Sequence, residues 1–121
     1  MIGVGVDLVE VERFRRALER TPSMRTRLFT LTELDDVAAR RDPVPALAAR
    51  FAAREALMKS LGVGLGAFGF HEAWVERAAS GAPSLVVTGR AAELAEAAGV
   101  VRWHLSLSHV DSVAVAVVAA E

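Results

Sequence analysis

Ile2, Val4 and Val6 alternate with Gly3, Gly5 and Asp7. This period of two predicts a strand over Ile2–Asp7 with one apolar face and one bare face. The glycines on the bare face leave room for something to approach the backbone beside Asp7. The period then changes to helical. Over Glu10–Arg20, Val11, Phe14 and Leu18 fall on one stripe. Arg13, Arg16 and Arg20 repeat that spacing on nearly the opposite face, and Thr21-Pro22 ends the helix and suits a new N-terminus. Thr32 before Glu33, Leu34 and Asp35 reads as an N-cap with an acidic first turn, predicting a second helix over Glu33–Arg41. After the break at Asp42-Pro43-Val44-Pro45, the alanine- and leucine-rich stretch Ala46–Leu61 predicts a long helix with Gly62 beyond its C-terminus. Apolar residues nearly surround that helix, so it is expected to be central and buried. Two polar pairs at i, i+4 interrupt it: Arg50 with Arg54, and Glu55 with Lys59.

The last third reads mostly as β. Gly62–Gly69 is a loop; His71–Ala78 and Leu85–Thr88 are strands joined across Ser80-Gly81-Ala82-Pro83. A short helix over Arg90–Ala98 follows. Trp103–His109 and Val113–Ala120 then flank Val110-Asp111-Ser112 as a hairpin, with Trp103, Leu105 and Leu107 alternating with His104, Ser106 and Ser108. The class is α+β.

A length of 121 residues fits one domain over 1–121. Hydrophobic residues make up 53%, and the net charge is -1. With no cysteine, disulfides, zinc–thiolate centres and thiol catalysis are excluded. No basic region precedes the first apolar run, and no charge-free stretch approaches the ~18 residues of a membrane span. A soluble, cytoplasmic protein is expected. One count is unusual: of 14 basic residues only Lys59 is a lysine. Codon bias accounts for arginine elsewhere, yet arginine replaces lysine poorly where a compact ammonium is needed.

Four features carry candidate chemistry: Asp7 at a strand end, Glu55 with Lys59 on a buried helix, Ser106, Ser108 and His109 ending a late strand, and the arginine stripe. Each also has an ordinary reading. Asp7 caps the following helix. Glu55 and Lys59 form an i, i+4 ion pair worth about 0.2–0.5 kcal/mol. His109 and the serines satisfy a turn and a polar strand face, and the arginines face water.

Taken together, the features fit a family. Gly3-Val4-Gly5-Val6-Asp7-Leu8-Val9-Glu10-Val11-Glu12-Arg13-Phe14 resembles the opening motif of the holo-[acyl-carrier-protein] synthases, the small 4′-phosphopantetheinyl transferases. Arg50-Phe51-Ala52-Ala53-Arg54-Glu55-Ala56-Leu57-Met58-Lys59-Ser60-Leu61-Gly62 is similar to their second motif, and Leu105-Ser106-Leu107-Ser108-His109 to their closing S-x-S-H segment. Arg27-Leu28-Phe29-Thr30-Leu31-Thr32-Glu33 and Gly81-Ala82-Pro83 are weaker matches in the same order. Two positions depart from the pattern. Arg54 stands where lysine is usual, and Val110 follows His109 where a polar or acidic residue is common, with Asp111 one position later.

The resemblance implies a small antiparallel sheet packed on a long central helix, with additional N-terminal helices. It implies Mg²⁺-dependent transfer of phosphopantetheine from coenzyme A to a serine of an acidic acyl carrier protein, releasing 3′,5′-ADP. Asp7 and Glu55 would hold the metal, and Glu55 and Lys59 would be catalytic. Arg50, Lys59, Gly62, Gly64, Ser108 and His109 would contact coenzyme A. Arg13, Arg16, Arg20 and Arg27 would dock the carrier. A homotrimer with sites at subunit interfaces is expected, without nucleic-acid or membrane partners. The alternative is a non-catalytic coenzyme A or carrier-binding module of the same fold.

Overall fold

The computed structural model describes all 121 residues. Strand β1, Gly3–Glu10, leads into helix α1, Val11–Arg20, and the short helix α2, Met24–Leu28. Helix α3, Leu31–Val37, precedes the long helix α4, Val44–Ser60, which has Pro45 in its first turn. A 3₁₀ turn, Phe70–Glu72, enters a hairpin of β2, Ala73–Arg77, and β3, Pro83–Val87. Helix α5, Gly89–Ala97, is followed by β4, Trp103–His109, and β5, Val113–Ala120. The last two strands pair antiparallel, and β5 also pairs antiparallel with β1, giving the order β1-β5-β4. The α+β fold is thus a small antiparallel sheet on a long central helix, as the resemblance implied.

The core lies on two sides of α4. One side gathers Val11, Phe14 and Leu18 of α1 with Leu28, Phe29, Val37 and Leu47. The other gathers Ala52, Ala53, Ala56 and Leu57 with Val75, Ala91, Ala116 and Val118. Arg50 and Arg54 are buried with the apolar residues of α4. Small residues on this helix let the sheet come close, and β1 shows how close. A Cβ on Gly5 would fall inside the van der Waals envelope of the Ala56 carbonyl, and one on Gly3 would strike the Ser60 carbonyl.

That contact is the approach for which the bare glycine face leaves room. The bare face of β1 is the buried one, and what approaches it is α4 itself. The apolar face, Ile2, Val4, Val6 and Leu8, points outward at 42–67% exposure. Alternation identified the strand correctly. It could not tell which face was covered, because glycine packs as well as valine when the partner is a helix backbone.

Smaller shifts have local causes. The N-cap of α3 is Thr30, not Thr32. Thr30 Oγ1 accepts from the Glu33 amide and the Glu33 carboxylate accepts from the Thr30 amide, a reciprocal capping box. The helix ends at Val37, four residues before Arg41. Strand β2 starts at Ala73 because His71 belongs to the 3₁₀ turn. Helix α2 begins just after Thr21-Pro22, where the sequence suits a new N-terminus.

Candidate active site

Two clefts carry the candidate chemistry. The first, about 390 Å³, opens between β1, α1, α2 and α4, lined by Asp7, Glu10, Arg13 and Glu55 around an apolar floor that includes Phe14, Met24 and Phe51. Asp7 lies within β1, which runs on to Glu10, and not at a strand end; the close packing of β1 on α4 sets Asp7 opposite Glu55. Asp7 is not the cap of α1, since Glu10 is the capping residue and makes no side-chain cap. Nor does Glu55 pair with Lys59. Lys59 Nζ instead reaches across to β1, donating to the Val6 carbonyl at 3.0 Å and to Asp7 Oδ1 at 3.1 Å. Burial pushes the Glu55 carboxyl above its ordinary value, and the charge of Asp7 adds to the push, while Lys59 opposes it. Two carboxylates crowded by burial and mutual repulsion are a donor set that a cation relieves. Oxygen-only ligands with open positions suit Mg²⁺.

The second cleft, about 240 Å³, is lined by Ala46, Ala49, Arg50, Arg77, Leu107, Ser108 and His109. Arg50 is 1% exposed. Its Nη1 donates to the Ala46 carbonyl at 3.3 Å, but Nε and Nη2 have no hydrogen-bond partner. Asp36 stands 4.0 Å from Nη2, too far for a hydrogen bond. Burial pushes the Arg50 guanidinium below its ordinary value, and the positive charge of Arg77 pushes further. Unused donors on a buried cation, beside an imidazole and a hydroxyl, describe a receptor for an anion.

The predicted site residues therefore fall into two groups. Asp7, Glu55 and Lys59 converge on β1 and α4, and Arg50, Ser108 and His109 converge on the far end of β4. The clefts share no residue. Helical geometry is the reason: five residues separate Arg50 from Glu55, which turns them roughly 140° apart around α4. Gly62 and Gly64 line neither cleft. Gly62 has φ +71° and ends α4, with the Val63 amide returning to the Met58 carbonyl, so its glycine is accounted for by the helix terminus.

A family model described as the 4′-phosphopantetheinyl transferase superfamily matches residues 3–118. The chain belongs to that family. It is 52% identical over 122 residues to the holo-[acyl-carrier-protein] synthase of Streptomyces coelicolor, covering 100% of this chain and 98% of that one. The crystal structure of the corresponding synthase from Neisseria meningitidis matches with a TM-score of 0.89 at 32% identity, covering 100% of this chain and 98% of that one. The synthase from Bacillus anthracis, in complex with CoA (3′,5′-ADP), matches with a TM-score of 0.81 at 28% identity, covering 98% and 95%. The chain is a phosphopantetheinyl transferase of the holo-[acyl-carrier-protein] synthase kind.

Three features of this transferase were not anticipated from its sequence. Arg77 joins the second cleft from the end of β2, and only the hairpin register, Arg77 opposite Pro83, brings it there. Arg54, at the position where the family usually has lysine, faces no cleft. It forks onto the fully buried Glu33 and donates to the Phe70 carbonyl at 2.8 Å, which makes it a structural cation. The capping-box pattern Thr30-x-x-Glu33 was the signal that Glu33 had a structural role. On α1 and α2, Arg13, Arg16, Arg20 and Arg27 are exposed and make no ion pair, whereas Arg15 clamps Asp42 with two bonds of 3.0 and 2.7 Å. No helix is long and apolar enough to cross a membrane.

Proposed function

We propose that this transferase moves the phosphopantetheine arm of coenzyme A to a serine of an acyl carrier protein, with Mg²⁺ held by Asp7 and Glu55. The observation that carries the proposal is the meeting of Asp7 and Glu55 in one cleft, from two motifs 48 residues apart, with Lys59 bonded to Asp7. The carrier serine attacks the phosphorus that bears the pantetheine arm. A new O–P bond forms there, the P–O bond to the nucleotide breaks, and 3′,5′-ADP leaves. When bound, Mg²⁺ supplies positive charge to the pyrophosphate. Glu55, held above its ordinary carboxylate range, is placed to take the serine proton. Lys59, whose ammonium lies against Asp7, supplies charge to the phosphates. Arg50, Ser108 and His109 bind the anionic nucleotide end of coenzyme A, and the Arg50 donors without partners support that reading.

Since the two groups face apart on one chain, one ligand meets both only if a second copy completes the site. The outward apolar face of β1, with Val4 at 57%, Val6 at 51% and Leu8 at 67% exposure, supplies a surface for that contact. A homotrimer is the assembly we expect, and sedimentation equilibrium at micromolar concentration checks it. A monomer mass under assay conditions overturns the shared-site reading.

Arg13, Arg16, Arg20 and Arg27 form the carrier-docking face, because exposed unpaired arginines beside the cleft attract an acidic partner. Incubating the protein with coenzyme A, Mg²⁺ and a panel of apo-carriers, then weighing the carriers, tests the function. One added phosphopantetheine is expected on at least one carrier. Binding without product would favour a non-catalytic module, the reading that Val110 after His109 supports. In the same assay, replacing Arg13, Arg16 and Arg20 by alanine is expected to raise KM for the carrier about tenfold and flatten its salt dependence, with kcat nearly kept. An unchanged KM contradicts the docking face.

A further inference from the structure

Lys59 stands on the last turn of α4, and β1 already engages it. Its ammonium donates to the Val6 carbonyl at 3.0 Å and to Asp7 Oδ1 at 3.1 Å. The side chain remains 54% exposed, whereas Asp7 is 18% exposed. Glu55, one turn earlier, lines the cleft with Asp7 but takes no part in this pair. Of the two carboxylates read as metal ligands, Asp7 and Glu55, the lysine sits on Asp7, the one that a metal would need. Lysine and metal therefore compete for one acceptor, Asp7 Oδ1.

We propose that Lys59 is the resting counter-ion of Asp7, and that metal entry and lysine release are one exchange. The proposal rests on the reading of Asp7 and Glu55 as metal carboxylates. A half-exposed ion pair is weak, so a divalent ion with oxygen ligands displaces it. The flexible stem of lysine then carries the freed ammonium toward the phosphates. The charge that grips the pyrophosphate is delivered only when the metal is in place, so the site assembles in order. By linkage, the lysine and the metal must weaken each other's hold on Asp7 to the same extent.

The exchange also gives the single lysine a physical reason. An arginine at this position would grip the Asp7 carboxylate with a planar two-pronged fork and release it less readily. A chain that uses arginine at its 13 other basic positions keeps lysine at the one where the partner must be surrendered.

Manganese serves as the probe, since the paramagnetic resonance of free aqueous Mn²⁺ reports binding without catalysis. Titrations of the wild type, Lys59→Met, Lys59→Arg and Asp7→Asn decide the matter. Lys59→Met is expected to bind Mn²⁺ about fivefold more tightly, equivalent to about 1 kcal/mol. Lys59→Arg is expected to bind about threefold more weakly. Equal or weaker binding by Lys59→Met overturns the exchange. Should Asp7→Asn bind Mn²⁺ like the wild type, the metal reading itself fails, and the exchange with it. Loss of binding in Asp7→Asn without tightening in Lys59→Met removes the exchange alone. A second measurement needs no substitution at Lys59. Because it is the only lysine, reductive ¹³C-methylation labels it and the terminal amine alone. Adding Mg²⁺ is expected to move the Lys59 resonance toward its position in metal-free Asp7→Asn, leaving the terminal signal still. A Lys59 resonance that stays in place through Mg²⁺ saturation overturns the exchange.

Discussion

Asp7→Asn is expected to lower the single-turnover rate of phosphopantetheine transfer by about three orders of magnitude or more, the scale on which losing an electrostatic stabiliser of the reacting phosphate is felt. The substitution keeps the shape of the side chain and one oxygen, and removes the charge. Asp7 is 18% exposed on a strand packed tightly against α4, so little else should move. The metal would be left with Glu55 as its one protein carboxylate, and Lys59 would lose the acceptor it now holds at 3.1 Å. Glu55 should relax part of the way toward its ordinary value, because Asp7 is the second cause of its displacement and burial, the first, remains. Rapid-quench sampling followed by carrier mass measures the rate, and circular dichroism checks the fold. A rate within tenfold of wild type would show that Asp7 is not the metal carboxylate.

The largest effect on stability is expected from Arg54→Met, a loss of about 3–5 kcal/mol in urea unfolding. Arg54 and Glu33 are 1% and 0% exposed, and their charges are matched by a two-pronged pair, one limb of which is 2.9 Å. Glu33 also accepts from the Thr30 amide at 3.0 Å and from the Val75 amide at 3.1 Å. Arg54 donates in addition to the Phe70 carbonyl and sits 5.3 Å from the centre of the Phe29 ring. The pair ties α3, α4, the 3₁₀ turn and β2 to one point. Removing the cation alone leaves a carboxylate buried without compensation. Adding Glu33→Gln, which is neutral and keeps the capping oxygen, is expected to recover much of the loss. Full wild-type stability in Arg54→Met alone would contradict this account. Arg54→Lys, which installs the residue usual in the family, is expected to cost about 1–2 kcal/mol, since an ammonium cannot make the fork and the bond to Phe70 together.

The two cases show what could be read from sequence and what could not. Helical and strand periods located α1, α4, β4 and β5 to within about three residues, because their burial follows one dominant face. The glycine alternation of β1 located the strand and the face open to close approach, but not its occupant, since a helix backbone, not a side chain, fills the space beside Gly3 and Gly5. The ordinary reading of Glu55 and Lys59, an ion pair along α4, is not what forms. An i, i+4 ion pair is a statement about one helix, and the real partner of Lys59 comes from β1, 52 residues away. Arg50 and Arg54 looked alike in sequence, both basic on a buried helix. Only the neighbours tell them apart: Glu33 answers Arg54, and nothing fully answers Arg50. Arg77 could not have been found, because its place depends on the register of a hairpin.

The central claim is transfer to a carrier, and the most direct measurement follows both products at once. With coenzyme A, Mg²⁺ and apo-carrier, nucleotide release by chromatography and modified carrier by mass should rise together, one for one, and omitting the carrier should stop both. Nucleotide released at the same rate without carrier, or a carrier that gains no mass while coenzyme A is consumed, would contradict the account.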